Sequence, residues 1–436
     1  MTSRPGRWAR RVALTLVTGA LVVSGLPAQA ATRATPGDFT GFAFDTCETP
    51  DSATMDIWRL SSPFWGVGVY LGGAATTCDR TDLTSTWVTR QAKRGWRILP
   101  IWVGPQASCS TVPYAADIDP DPERSYAAAA GQGRRNANAA VAAAKEIGIG
   151  PRSTLWYDIE DFGLADDDCR RSTLTFLSAW TKRLHALGFT SGVYSNVSAA
   201  VDALDFADTA SPGSYAMPDQ IWYAWENGRA DTYIAKHWVR GDNWTPHARV
   251  HQYALDTMAT YGGVTLKIDR NFMDVGRGSV APRARATCGV RVDFGDYKRI
   301  RRGSQGAQVK AAQCLLKRKR KYDGRIHGRY DRATVRAVRS FQRARSLRVT
   351  GTMTAPTWTV LLSEGKSVLL KRGSAGDPVR RVQRGLTAAL DRRVAVTGVF
   401  NAGTTRAVAS YQRARGLAPT GVVDPSTWAQ LEAGRR

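Results

Sequence analysis

Residues 154–160 read Thr-Leu-Trp-Tyr-Asp-Ile-Glu. The run is apolar and aromatic and turns acidic at Asp158 and Glu160, as a buried strand does where it leaves a core. Side chains alternate along a strand, so these two carboxylates, two residues apart, face the same side. Working outward, similar short apolar runs lie at 41–45, 66–71 and 97–103 before it, and at 190–194, 220–225, 250–254 and 267–269 after it. Most of them stop at a Gly, a Pro or an acidic residue. The Ala-rich stretch 126–147 and the stretch 172–187 carry apolar residues at helical spacing. Strands alternating with helices predict parallel β/α units. Eight units in about 240 residues predict an α/β chain whose body, 39–276, is a (β/α)8 TIM-like barrel with its chemistry at the C-terminal strand ends.

Acidic residues fall at those ends. Asp45 closes the first strand, Asp158 and Glu160 the fourth and Asp269 the eighth, while Gln252 lies in the seventh. A single such acid reads as a helix cap or a loop residue. Four at matching ends read as a cluster in which like charges raise one another's proton affinity. A protonated acid beside an ionised carboxylate is the equipment of glycosidic bond cleavage. Trp102, Trp156, Tyr194, Trp222, Tyr223 and Trp225 sit on or beside the same ends. Flat rings stack on sugar faces; core packing accounts for most of these six, and Trp225 and Tyr194 are the two expected to meet a sugar.

The chain has 436 residues, 43% hydrophobic and 22% charged, which is a globular composition with room for several domains. Its net charge of +24 is unevenly placed. Residues 291–436 hold 32 Lys/Arg against 9 Asp/Glu, residues 1–31 add +4, and the body between them is slightly acidic. A neutral body and a basic tail imply two jobs, the tail's partner being a polyanion or an anionic surface. Arg4, Arg7, Arg10 and Arg11 precede an apolar run over 12–26 and then Ala28-Gln29-Ala30, the layout of a secretory signal peptide cleaved after Ala30. Fifteen residues are too few for a membrane anchor, and no later stretch is apolar enough to span. Export makes six cysteines read as three disulfides, paired sequentially as Cys47 with Cys78, Cys109 with Cys169 and Cys288 with Cys314. No pair has C-x-x-C spacing, so neither a metal site nor a cofactor is expected.

The tail repeats itself at a shift of 70 residues without a gap. Arg302–Ser304 returns as Arg372–Ser374, Gln313 as Gln383, Gly328 and Tyr330 as Gly398 and Phe400, and Phe341–Arg345 as Tyr411–Arg415. Thr350-Gly351 returns as Thr420-Gly421 and Thr357-Trp358 as Thr427-Trp428. Each copy has helical periodicity, with Asp331 or Asn401 as an N-cap, and predicts a small all-α three-helix module. The R-G-S start, the G-x-[YF]-[DN]-x-x-T segment, the [FY]-Q-R-A-R segment and the T-G and T-W pairs resemble the peptidoglycan-binding domain of secreted wall hydrolases. The resemblance implies non-catalytic anchoring to bacterial cell-wall peptidoglycan or another wall polysaccharide. Export argues against nucleic acid as the partner of this basic tail. The expected organisation is a signal peptide 1–30, linkers 31–38 and 277–287, the barrel 39–276, and peptidoglycan-binding modules 288–365 and 366–436.

The body carries a motif order similar to that of lysozyme-type muramidase barrels: Asp45, Asp158-Ile159-Glu160, Gln252-Tyr253, then Asp269-Arg270-Asn271-Phe272. The stretches G-F-A-F-D-T-C-E-T-P, V-Y-L-G-G, W-R-I-L-P-I-W-V-G and W-Y-D-I-E resemble a secreted glycoside-hydrolase-like domain more closely still. The family implies Glu160 as general acid, with Asp158 orienting substrate or stabilising positive charge, Asp45 and Asp269 assisting, and Gln252, Tyr253 and Asn271 binding substrate. The chain departs from the muramidases in Thr46-Cys47 after the first Asp and in His251 before Gln252. Other chemistries lack their parts. His247 and His251 are four apart but not on a helix, paired cysteines leave no thiol nucleophile, and no G-x-S-x-G appears. The expectation is a secreted, wall-anchored glycoside hydrolase acting on a wall glycan; the alternative is a barrel that binds wall glycan without cutting it.

Overall fold

The computed structural model describes residues 1–2, 34–284 and 287–436, and the expected signal peptide lies, but for its first two residues, outside them. Eight strands close a barrel in chain order: β1 (Phe39–Asp45), β2 (Gly66–Gly72), β3 (Arg97–Trp102), β4 (Thr154–Asp158), β5 (Thr190–Asn196), β6 (Gln220–Ala224), β7 (Ala248–Tyr261) and β8 (Val264–Val275). Helices α1 (Ser52–Ser61), α2 (Ser85–Arg94), α3 (Ala127–Glu146), α4 (Asp167–Ala186) and α5 (Asp202–Ala210) follow β1 to β5 in turn. Local chemistry starts three of them: Asp51, Thr84 and Asp166 accept N-terminal amides of α1, α2 and α4.

The barrel is mixed, where eight parallel units were expected. Strands β1 to β7 run parallel, but β8 is antiparallel to both β7 and β1. The cause is the turn between Tyr261 and Val264. Gly262 and Gly263 are both left-handed, at φ 60° and 83°. A two-residue turn of that hand returns the chain antiparallel, whereas a parallel partner needs a crossover of a dozen or so residues. The short strands expected at 250–254 and 267–269 are parts of this hairpin, of 14 and 12 residues. Among the described residues no helix follows β6, β7 or β8 before the tail begins.

Inward side chains such as Leu99, Ile101, Trp156, Trp222, Val250 and Met273 fill the barrel interior. Outward ones, among them Phe44, Val67, Ile98, Leu155 and Tyr157, pack under Met55, Trp58, Phe176 and Trp180 of the helices. Three disulfides form in sequential order: Cys47–Cys78 ties two loops, while Cys109–Cys169 and Cys288–Cys314 each tie a loop to a helix, α4 (Asp167–Ala186) and the first tail helix (Ala307–Arg318).

The tail holds two three-helix repeats, α6 (Ala307–Arg318), α7 (Arg332–Ala344) and α8 (Ala355–Ser363), then α9 (Asp377–Leu390), α10 (Ala402–Ala414) and α11 (Pro425–Glu432). Buried glutamines explain why so many positions recur. Gln342 on α7 accepts from the backbone of Thr350 and Gly351 and donates to Thr352 and Thr357. Gln412 holds Gly421, Val422 and Thr427 in the same way. The repeated Q, T-G and the Thr of T-W are thus one buried network, since each polar group taken from water must find a partner, while Trp358 and Trp428 donate to Lys298 O and Val368 O.

Gln342→Ala leaves two backbone N–H groups of the 350–351 turn without their acceptor, while Arg343→Ala trims an exposed neighbour on the same helix. Calorimetry of the full chain is expected to show the first change destabilising the tail by roughly 1–3 kcal/mol, and the second by under about 0.5 kcal/mol.

Candidate active site

The barrel mouth is built from the ends of β1 and β4 and the middle of β8. Asp45, the last residue of β1, is directly opposite Asp269 in the β1–β8 ladder. Asp269 was expected to end its strand; because β8 runs the other way, the strand enters the barrel there and continues to Val275. Both carboxylates still reach one level. Room for them comes from β2: a Cβ on Gly68 would lie 2.5 Å from the Asp45 Cβ. The Gln252 amide bridges the pair, and Asn271 adds a second donor to Asp45. Gln252 Nε2 lies 3.2 and 3.3 Å from the two Asp45 oxygens and 3.3 Å from Asp269 Oδ2, and Asn271 Nδ2 donates to Asp45 Oδ1 at 2.5 Å.

Asp158 ends β4, buried at 4% exposure, and Glu160 follows at the partly exposed rim. The backbone N–H of Ile159 donates to Tyr194 O at 3.0 Å, carrying the β4–β5 ladder one step further. Gln106 then brackets the peptides, its Nε2 donating to Asp158 O at 2.9 Å and its Oε1 accepting from Glu160 N at 2.8 Å. The two carboxyl groups are close enough to act on each other's proton, and the buried Asp158 Oδ1 has no hydrogen-bond partner. Two carboxyl groups can share a hydrogen bond only through a proton.

Burial, more than repulsion, holds protons here. The Asp45 carboxyl is pushed up to about 8, first by loss of water and then by the Asp269 charge, against the pull of Asn271 and Gln252. Asp158 is raised well above the carboxylate range by burial and then by Glu160 and Asp45. Glu160 and Asp269 are raised too, burial again leading. For Glu160 the neighbouring Asp158 carboxyl works in the opposite direction, toward the ionised form, and burial outweighs it.

The other expected site residues divide. Tyr194 is in the mouth, its hydroxyl donating to Gln252 Oε1 at 2.8 Å. Gln252 and Asn271 are there as well, but their amides are spent inside the protein, Asn271 Oδ1 accepting from Trp222 Nε1. Tyr253 is not brought to the mouth. It faces out with His251, near Arg270, whose charge opposes the upward push of burial on the Tyr253 hydroxyl. Trp225 packs in the loop after β6 with Tyr233, Trp238 and His251. Three residues join the site that sequence reasoning passed over. Tyr70 on β2 and Tyr114 feel the carboxylates: burial and their charges push Tyr70 well up and Tyr114 to about 12. Gln106 is the third. Tyr70 carried a signal, since Gly66, Gly68 and Tyr70 share the inward parity of β2.

A cleft of about 600 Å³ opens from Asp45, Tyr70 and Asp269 between the Cys47–Cys78 bridge and the β7–β8 hairpin. A slightly larger one, about 680 Å³, lies outside α3 and α4 and touches none of the four carboxylates. Among the described residues no set of three or more His, Cys, Asp or Glu side chains is arranged to hold a metal ion, and no helix is long and apolar enough to cross a membrane.

A barrel with four acids in its mouth, joined to two copies of a helical module, defines a modular glycoside hydrolase-like protein. The chain belongs to the Rv2525c-like, glycoside hydrolase-like domain family, which matches residues 56–273, and its tail matches the peptidoglycan binding domain at 305–361 and 375–431. Among similar solved structures, an uncharacterized B. stearothermophilus protein is 21% identical, with 53% of this chain and 95% of that chain covered at a TM-score of 0.35. The Clostridium perfringens spore cortex lytic enzyme SleM is 12% identical over 54% of this chain and 67% of its own, also at 0.35. The modular autolysin LytC from Streptococcus pneumoniae is 9% identical over 53% and 46%, at 0.32. No curated protein matches the chain.

A proton held at Asp45 in the folded state and released near pH 4 when unfolded stabilises the fold at low pH, and that stabilisation is lost as pH rises toward about 8. The melting temperature of the wild type minus that of Asp45→Asn is expected to fall steadily between pH 4 and pH 8. A difference that stays level across that range would show Asp45 ionised in the fold.

Proposed function

We propose that this is a secreted, wall-associated glycosidase that cuts a bacterial wall glycan, with the barrel over 39–276 as the hydrolase and the modules over 288–365 and 366–436 as wall anchors. The observation that carries the reading is the convergence of Asp45, Asp158, Glu160 and Asp269 at one water-poor mouth. Peptidoglycan-binding domains and three disulfides support an extracellular place at the wall.

In this reading Glu160, the more exposed member of the proton-sharing pair, meets the glycosidic oxygen and gives it a proton as the C–O bond breaks. Asp158 behind it holds the proton before transfer and, once ionised, stabilises positive charge on the sugar ring. A water adds to the anomeric carbon and loses its proton to a carboxylate of the cluster, restoring the protonation count. Asp269, linked through Gln252 to the protonated Asp45, leaves a negative charge in the mouth toward the cationic transition state.

Digestion of purified peptidoglycan by the full chain is expected to release new reducing ends. Glu160→Gln is expected to lower that rate about 10²–10⁴-fold with substrate binding retained, and Asp158→Asn to be similarly severe. Equal rates for wild type and Glu160→Gln would refute the assignment. A wild type that binds the wall but releases nothing would make the barrel a non-catalytic glycan binder.

A further inference from the structure

The two repeats align without a gap, yet their opening loops meet different surroundings. In the first repeat Arg301, Arg302 and Gly303 are exposed, and the loop borders an open pocket of about 330 Å³ with Arg329, Asp331 and Arg332. In the second repeat the same positions are Lys371, Arg372 and Gly373, and they are pressed against the barrel. Lys371 is 1% exposed. Its Nζ donates to Arg59 O at 2.8 Å and Ser62 O at 3.1 Å, at the end of α1, and lies 4.3 Å from the Trp65 ring centroid. Arg372 lies over Phe272 of β8 at 4.4 Å and over Phe42 of β1 at 5.1 Å. Gly373 O accepts from Ser279 Oγ at 2.8 Å, and a Cβ on Gly373 would come within 2.3 Å of the Phe39 ring.

Phe42 and Phe272 are register partners that face outward, edge to face at 5.5 Å. In a barrel with eight complete β/α units, helices after the seventh and eighth strands cover that flank. Among the described residues none follows them here before the tail, so two aromatic rings on the sheet would face water. A lysine amino group buried on two carbonyls and an indole is a commitment that a loose contact between domains does not make, because a desolvated polar group is costly unless its partners stay in place.

We infer that the two repeats divide the work: the second is the outer layer the barrel lacks over β8 and β1, and the first alone keeps the 301–304 loop free for the acidic groups of a wall polymer. The second half of this statement rests on the wall-anchoring reading above. The second repeat also carries the first. Helices α8 and α9 are in contact, and Gly385 allows it, since a Cβ there would lie 2.2 Å from Ser363 Oγ.

Two measurements on the full chain separate the parts. A specific protease site placed between Ala284 and Thr287 allows the folded protein to be nicked; no disulfide crosses that point. The nicked wild type is expected to elute as one particle on gel filtration, and nicked Lys371→Glu/Arg372→Glu as two. Separation of the nicked wild type would overturn the docking. Sedimentation with purified peptidoglycan then compares Arg302→Glu with Arg372→Glu, which change charge equally. The first is expected to lower the bound fraction several-fold and the second to leave it within two-fold; equal losses, or the reverse order, would overturn the division of work. A wild type that does not sediment at low salt would remove the anchoring reading and the role of the first repeat with it, while the elution result would still decide the docking.

Discussion

The pairing of β8 with β1 closes the barrel, and nearly everything else about the mouth follows from it. One ladder sets Asp45 opposite Asp269 and Ala43 opposite Asn271. Without that closing strand Asp45 would stand at an open sheet edge in water. With it, Asp45 is shut in beside a second carboxylate, with Asn271 and Gln252 donating across the gap. Both amides give hydrogen atoms to the Asp45 carboxyl, which favours its ionised form, yet burial outweighs them. The result is a cluster able to keep protons near neutral pH, on a scaffold whose interior above it is filled by Trp156 and Trp222.

The same closure leaves a weakness on the outside. The hairpin that brings β8 back antiparallel uses two residues in place of a helix, so no covering element is made there. The tail's second repeat meets that flank through a lysine and an arginine, residues whose long stems cover apolar and aromatic surface. The strongly basic tail is therefore two things at once, a charged surface and a packed part of the fold.

Sequence reasoning reached the acids because their signal is local. Asp45, Asp158 and Glu160 stand where apolar strands turn polar, and strand parity sets their facing. The repeats were legible because each supplied the alignment of the other. The direction of β8 was legible in principle in Gly262-Gly263, a two-residue hairpin signal, but the surrounding β/α alternation favoured a parallel reading. What could not be read was which polar groups face each other across the barrel. Gln252 and Asn271 have the look of sugar contacts, and only the fold spends their amides on Asp45. Gln106 sits 54 residues from Glu160 and holds it through an irregular loop. Tyr253 belongs to the outer face, with Arg270, because it shares the parity of His251 rather than Gln252. Lys371 and Arg301 occupy equivalent repeat positions, and only surfaces far away in the chain make one buried and the other free.

Protonated carboxyl groups have their own signature in infrared and carbon NMR spectra. A pH titration of the full chain in which the carboxyl carbons of Asp and Glu are observed is expected to show protonated groups persisting at pH 6, one of them lost in Asp45→Asn and another in Asp158→Asn. A spectrum in which every carboxyl group is ionised by pH 5 would contradict the account.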